Sequence, residues 1–293
     1  MKTFSIAAEK LAPRLTGTLI FPDDPSYDEA RRVWNGRIDK RPAMIIRCGT
    51  ADDVAEAVAF ARRQGLLASV RGGGHSIAGN SVCDGGVVID LSRMKGITVD
   101  PEQRTARAEP GLTLAEFDAA TQEFGLATTL GLVGHTGIAG LTLGGGLGRL
   151  ARKYGASCDN LLGAEVVLAD GRRLHARAEE NADLFWALRG GGGNFGIVTA
   201  FTYRLHAVGP AVFGGLLIYD WANAGDVLRR YRDFCRNAPD EISADAAFLF
   251  SPSGDPILGI AASYIGAVED GERALAPLRQ LGPLVEDDLA PTP

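Results

Sequence analysis

Apolar residues fall along this chain in short runs, separated by glycine, proline and acidic turns. Residues 43–47 form a short apolar run and predict a strand. Thr50 then stands as an N-cap with Asp53 at N3, a capping-box-like pair. Val54, Ala57, Val58 and Ala61 share one helix face, and Gly65 ends that helix. Residues 67–70 predict a strand that runs into a glycine-rich loop, and 86–91 (GVVIDL) read as a fully buried strand. Residues 97–99 and 105–109 flank Asp100-Pro101-Glu102 and predict a hairpin. Thr113 with Glu116 is a complete capping box, opening a helix that stops at Gly125. Asp170-Gly171 joins 165–169 to 172–176 as a second hairpin. A helix over 181–188 and a strand over 197–205 follow.

Near residues 207–210 the character changes. Strands are expected at 212–219, 246–250 and 257–264, with helices at 224–236 and 271–281. This β-α-β-β-α order suits an antiparallel sheet with helices on one face. A domain boundary is expected at about Val208, giving domains 1–207 and 208–293. The pattern stops after Leu281 with no further closing element. Such a sheet would expose an edge strand and an apolar face, so weak stability and self-association are expected.

Composition narrows the function classes. The chain has 293 residues, 46% apolar and 23% charged, with a net charge of −6 and no long basic run. That disfavours nucleic acid as a partner. No apolar run reaches the ~18 residues of a membrane span, and the N-terminus lacks the apolar core of a secretory signal. A cytoplasmic location is expected. Cys48, Cys83, Cys158 and Cys235 are scattered and form no C-x-x-C, so no metal or dithiol site is expected.

Glycine is the unusual residue: 38 of 293, nearly twice the usual ~7%. The excess lies in clusters at 72–79, 131–148 and 190–196. Glycine lets a backbone approach a ligand closely, so the clusters point to one large ligand held by main-chain groups. Gly191–Gly196 satisfies G-x-G-x-x-G, but a helix precedes it and a strand follows, the reverse of the dinucleotide fingerprint. Arg71-Gly72-Gly73-Gly74-His75-Ser76 instead follows a strand. Its successive N–H groups can nest a pyrophosphate, or it is simply a glycine-rich turn with an exposed histidine.

Read together, RGGGHSIAGNS (71–81), GGVVIDLSRM, TGIAGLTLGGGLG (136–148), RKYG (152–155), CDNLL (158–162) and LFWALRGGGGNFGIVT (184–199) closely resemble the FAD-linked oxidases. The resemblance is to the berberine-bridge-enzyme-like branch of the vanillyl-alcohol oxidase superfamily. It implies an α+β fold: a two-subdomain FAD-binding domain followed by an antiparallel-sheet substrate domain. It makes His75 the attachment point of FAD at the flavin 8α-methyl. Gly72, Gly73, Gly74 and Ser76 would offer N–H groups to the pyrophosphate, and Arg71 and Gly79 would also bind the cofactor. Gly137, Gly140, Gly144, Gly145 and Gly146 match the second flavin-contacting segment, and Gly196, Ile197 and Val198 the stretch at the adenine end. Many relatives carry a second, cysteinyl flavin link; Val133 holds that position here, so a single link is implied. His135 either faces the flavin ring or is a loop histidine with ordinary hydrogen bonds. Arg152, Lys153 and Tyr154 are either a positive patch near the flavin or structural.

The resemblance also implies the reaction. FAD would take a hydride from a C–H next to oxygen or nitrogen of a small-molecule substrate and pass the electrons to O₂. The alternatives are a same-fold FAD dehydrogenase or a flavin-binding fragment without turnover. The substrate domain of the family is longer and carries the active-site bases in its later part. No catalytic base is therefore assigned, and a complementing chain or second copy is an expected partner.

Overall fold

The computed structural model describes residues 2–293, with side chains from residue 7 onward. After helix α1 (Lys2–Leu11) the first sheet assembles from β1 (Thr18–Ile20), β2 (Met44–Arg47), β3 (Ala68–Arg71) and β4 (Val87–Asp90), in the order β1-β2-β4-β3. The short helix α2 (Tyr27–Ala30) lies between β1 and β2 in sequence, and α3 (Ala51–Gln64) is the crossover from β2 to β3. β4 pairs in parallel with both β2 and β3. Val54, Ala57 and Phe60 of α3 cover one sheet face, while Ile20, Tyr27 and Ala30 pack with Ile45 and Val88 on the other. Burial on both sides explains the unbroken apolar run of β4.

A second, antiparallel sheet has the order β5-β6-β10-β8-β9. Its strands are β5 (Ile97–Asp100), β6 (Thr105–Ala108), β8 (Leu161–Val167), β9 (Arg173–Arg177) and β10 (Ile197–Arg204). A two-strand pair, β7 (Leu126–Ala127) with β11 (His206–Ala207), sits beside it. Helices α4 (Leu114–Gln122), α5 (Ile138–Leu143), α6 (Ala151–Tyr154) and α7 (Ala182–Leu188) fill the connections. Phe117, Phe185 and Leu188 close the core over Ala164, Val166, Phe201 and Tyr203. The Thr113–Glu116 capping box forms as read. Thr50 accepts the Asp53 N–H, but the Asp53 carboxylate turns away to Thr16, Gly17 and Gly49, so that box is half made. The hairpin at Asp170-Gly171 closes through Leu168 N–H donating to Arg172 O at 2.9 Å, with Gly171 at φ +89. This is the three-residue loop whose last residue must be left-handed.

The third sheet runs β13-β14-β12-β15. It is built from β12 (Val212–Tyr219), β13 (Ile242–Phe250), β14 (Pro256–Tyr264) and β15 (Leu284–Asp287), with β16 (Ala290–Thr292) also pairing β12. Helices α8 (Ala224–Asn237) and α9 (Val268–Leu275) accompany it, and Val227, Leu275 and Leu278 join the core of Phe213, Leu217, Leu258 and Ile260. The expected helix over 271–281 is instead α9 followed by a 3-10 turn, Ala276–Gln280, with Pro277 at its start.

The expectation that nothing follows Leu281 is corrected: β15 and β16 return and pair along β12, leaving that edge covered. Both are short and largely exposed, so they lack the apolar pattern that marks a strand in sequence. Of the strands at the sheet's edges β13 is the longest, and its residues 245–250 are all exposed, with Phe250 76% accessible. Such an edge templates strand pairing. Sedimentation velocity is expected to show association that rises with concentration and is suppressed by Phe248→Lys with Phe250→Lys. A chain monomeric at every concentration would show that this edge does not pair.

Candidate functional site

Two loops and one strand end meet between the first and second sheets. β3 delivers residues 72–76, the segment before α5 delivers Thr136 and Gly137, and Gly196 leads into β10. Together they line a cleft of about 740 Å³. An adjoining apolar pocket of about 610 Å³ shares Ala68, Val70, Asn194 and Ile197 with it and is walled by Val58, Leu66, Ile89 and Val167.

Backbone contact joins the first two glycine clusters. A Cβ on Gly73 would sit 2.3 Å from Gly137 N, and one on Gly137 would sit 2.4 Å from Gly73 N. Only hydrogen fits between the two main chains. Gly74 at φ +72 supplies the left-handed turn that follows. Among the described residues, the N–H groups of Gly73, Gly74, His75 and Ser76 donate to no protein backbone acceptor. α5 is tied to the second sheet by Thr142 Oγ1 and Tyr203 Oη, 2.8 Å apart.

Of the residues expected at the site, Gly72, Gly73, Gly74, His75, Ser76, Gly137, Gly140, Gly196, Ile197 and Val198 line the cleft. Five do not. Arg71 lies under the loop, its Nη1 donating to Ala30 O. Gly79 makes a left-handed turn against Ile38. Gly144 caps α5, and the carbonyls of Gly145 and Gly146 accept from Cys158 and Ser157. These are turn glycines, indistinguishable in sequence from those that face the cleft.

Sequence reasoning missed Ser69, Asn80, Ser81, Thr136 and Asn194, which line the same cleft. Ser69 and Ser81 are buried, and neither hydroxyl has a hydrogen-bond partner. A buried hydroxyl without a partner is unfavourable, and a polar ligand in the cleft would relieve it. Ser81 ends the RGGGHSIAGNS motif, which was the available signal. Trp34 was also missed. It stacks on His75 with centroids 5.3 Å apart and planes at 19°, fixed by its N–H to Gly74 O at 3.0 Å.

His75 Nε2 and His135 Nδ1 are 2.7 Å apart, and His75 Nδ1 lies 3.5 Å from Thr136 Oγ1. Burial, then the neighbouring His135, hold the His75 imidazole below its ordinary range, which favours its neutral form. Arg152 and Lys153 donate to Ala238 O at 2.9 Å and Ile265 O at 2.8 Å, tying α6 to the end of α8 and to the residue after β14. Tyr154 stacks on His206, centroids 3.9 Å apart. Cys158 is buried, and its carbonyl accepts from Arg189. Among the described residues there is no cluster of three or more metal-ligating side chains, and no helix is long and apolar enough to cross a membrane.

The donor set fits FAD: N–H groups of a glycine loop with no backbone acceptor, unpartnered hydroxyls, an adjoining apolar pocket and an imidazole among the lining side chains. Comparison with known proteins agrees. Residues 42–177 match the FAD binding domain family. The (R)-6-hydroxynicotine oxidase of Paenarthrobacter nicotinovorans is 35% identical over 97% of this chain and 63% of its own length. A crystal structure of 6-hydroxy-D-nicotine oxidase from Arthrobacter nicotinovorans superposes with a TM-score of 0.90 at 34% identity, over 94% of this chain and 62% of that one. The berberine-bridge-enzyme-like protein 1 of Physcomitrella patens superposes at 0.86 with 30% identity, over 98% and 62%. The chain thus spans about three fifths of the length of these relatives. It carries an FAD binding domain and along nearly its whole length is similar to members of the berberine-bridge-enzyme-like branch of the vanillyl-alcohol oxidase superfamily.

Proposed function

We propose that this chain holds FAD in the cleft, attached through His75, and serves an oxidase acting on a small organic substrate. The carrying observation is the convergence of three glycine segments on one cleft that the His75 side chain also lines. When bound, FAD supplies a two-electron acceptor for a hydride from a C–H next to oxygen or nitrogen, and dioxygen takes the electrons onward. The N–H groups of residues 73–76 and the Ser69 and Ser81 hydroxyls hold the pyrophosphate and its neighbours. The pocket walled by Val58, Leu66 and Val167 takes the flat apolar end of the ligand, beside Gly196, Ile197 and Val198. Val133 offers no thiol, so His75 is the single link. Residues 208–293 contribute the substrate side.

The purified protein is expected to stay yellow after acid precipitation and to carry the mass of one FAD. Peptide mapping should place the flavin on His75 and on none of the four cysteines. His75→Ala is expected to release all its flavin on precipitation while still taking up FAD reversibly. Complete loss of flavin from the native chain on acid treatment would sink the covalent link. A chain that takes up no FAD would sink the whole reading.

A further inference from the structure

His135 is unexplained by cofactor holding alone. It is exposed, on the loop before α5, yet its Nδ1 lies 2.7 Å from His75 Nε2 and its ring is tilted 39° against that imidazole. Two imidazole nitrogens at that distance share one proton, so one must donate and the other accept. The opposite nitrogen of His75 has only Thr136 Oγ1, at 3.5 Å. Trp34 covers one face of the ring. Among the described residues no carboxylate makes a hydrogen bond or ion pair to either histidine. Among the described residues, His135 is thus the titratable side chain hydrogen-bonded to His75.

We propose that His135 is the positioning residue for flavin attachment: it holds His75 in the tautomer protonated at Nε2, leaves Nδ1 as the nucleophile, and receives the Nε2 proton when the bond to flavin forms. This rests on the reading of His75 as the attachment point. The step balances. An N–C bond forms between Nδ1 and the 8α-carbon. The Nε2–H bond of His75 breaks, its proton passing to His135 Nδ1. One methyl C–H bond breaks, its proton leaving to water, and the two electrons stay in the flavin ring system until dioxygen takes them, giving hydrogen peroxide. The exposed ring of His135 can then pass its proton to solvent from Nε2. Without His135 the neutral His75 is free to carry its proton on Nδ1, where no lone pair is left for attack.

The test is reconstitution. Flavin-free protein from a riboflavin-starved host is mixed with FAD in air. Covalent product is followed by intact mass, and reversible FAD affinity is measured separately in the His75→Ala background. His135→Ala is expected to slow attachment by about 10²-fold or more, the lower range for a lost proton acceptor. Reversible affinity should change by less than about threefold, which is under ~1 kcal/mol. Added imidazole should restore part of the rate. His135→Gln accepts the Nε2–H bond but cannot take the proton, so it should recover only part of the rate. Attachment at the native rate in His135→Ala would overturn the proposal. So would a slowing matched by an equal loss of affinity, because that is collapse of the loop. If the native chain binds FAD but never attaches it, the His75 reading fails and takes this proposal with it.

Discussion

Gly73→Ala and Gly137→Ala are each expected to abolish flavin retention and to lower the melting temperature sharply. A Cβ at either position would stand 2.3 or 2.4 Å from the other residue's backbone nitrogen. No rotamer relieves such a contact, because main chain presses on main chain. Neither glycine has a positive φ, so the backbone itself would accept alanine. The cost is therefore steric and comes from the approach of the two loops. Overpacking usually costs ~1–3 kcal/mol, occasionally more, when side chains can shift; here the loops must separate, so the upper end or beyond is expected. Separation would also pull the N–H groups of residues 73–76 away from α5 and open the cleft. Gly140→Ala is the control. It lines the cleft inside α5, and a Cβ there meets nothing within 4 Å. Its stability should hold or rise by up to ~1 kcal/mol, the helix preference of alanine over glycine. Any flavin affinity it loses then measures how closely the ligand approaches. Equal melting temperatures and flavin contents in native, Gly73→Ala and Gly137→Ala protein would refute the backbone-contact account.

What was legible in the sequence was local. Thr113 with Glu116, Gly65 after α3 and Asp170-Gly171 each act over a few residues, and each formed where it was expected. β4 was legible because burial on both faces leaves an unbroken apolar run. The cleft was legible as three glycine clusters, but not which glycine did what. Gly73 and Gly146 look alike in sequence; one touches Gly137 across the cleft and the other turns under Ser157. Ser69 and Ser81 gave no signal because their importance is burial without a partner, a property of the fold. β15 and β16 were missed because short exposed strands carry no two-residue periodicity to read. Asp53 was read as a cap because the chain around it says so. Its true partners, Thr16 and Gly17, arrive from a distant segment.

Asp53→Ala is expected to be the most damaging change outside the cleft. The carboxylate is buried and accepts four hydrogen bonds: Thr16 N–H at 2.9 Å, Thr16 Oγ1 at 2.8 Å, Gly17 N–H at 3.0 Å and Gly49 N–H at 2.8 Å. It thereby staples the segment entering β1 to the turn between β2 and α3, the unit that carries the 72–76 loop. Hydrogen bonds to a charged group contribute ~1.5–3 kcal/mol each and do not simply add, so a loss of roughly 3–5 kcal/mol is expected. Asp53→Asn should cost about half as much. It keeps one acceptor oxygen, loses the charge and turns an N–H₂ toward a backbone donor. The pH dependence follows. Burial alone would raise the Asp53 carboxyl, but the bonds from Gly49, Thr16 and Gly17 outweigh it and hold it below its ordinary range. A carboxyl depressed in the folded state stabilises above its unfolded value of ~3.9, and the benefit fades as pH falls toward the folded value. Urea unfolding at pH 7 should therefore separate native protein from Asp53→Ala widely, and the gap should narrow at pH 3. A gap that stays constant between those two values would mean that the carboxylate's charge contributes nothing and that Asp53 only fills space.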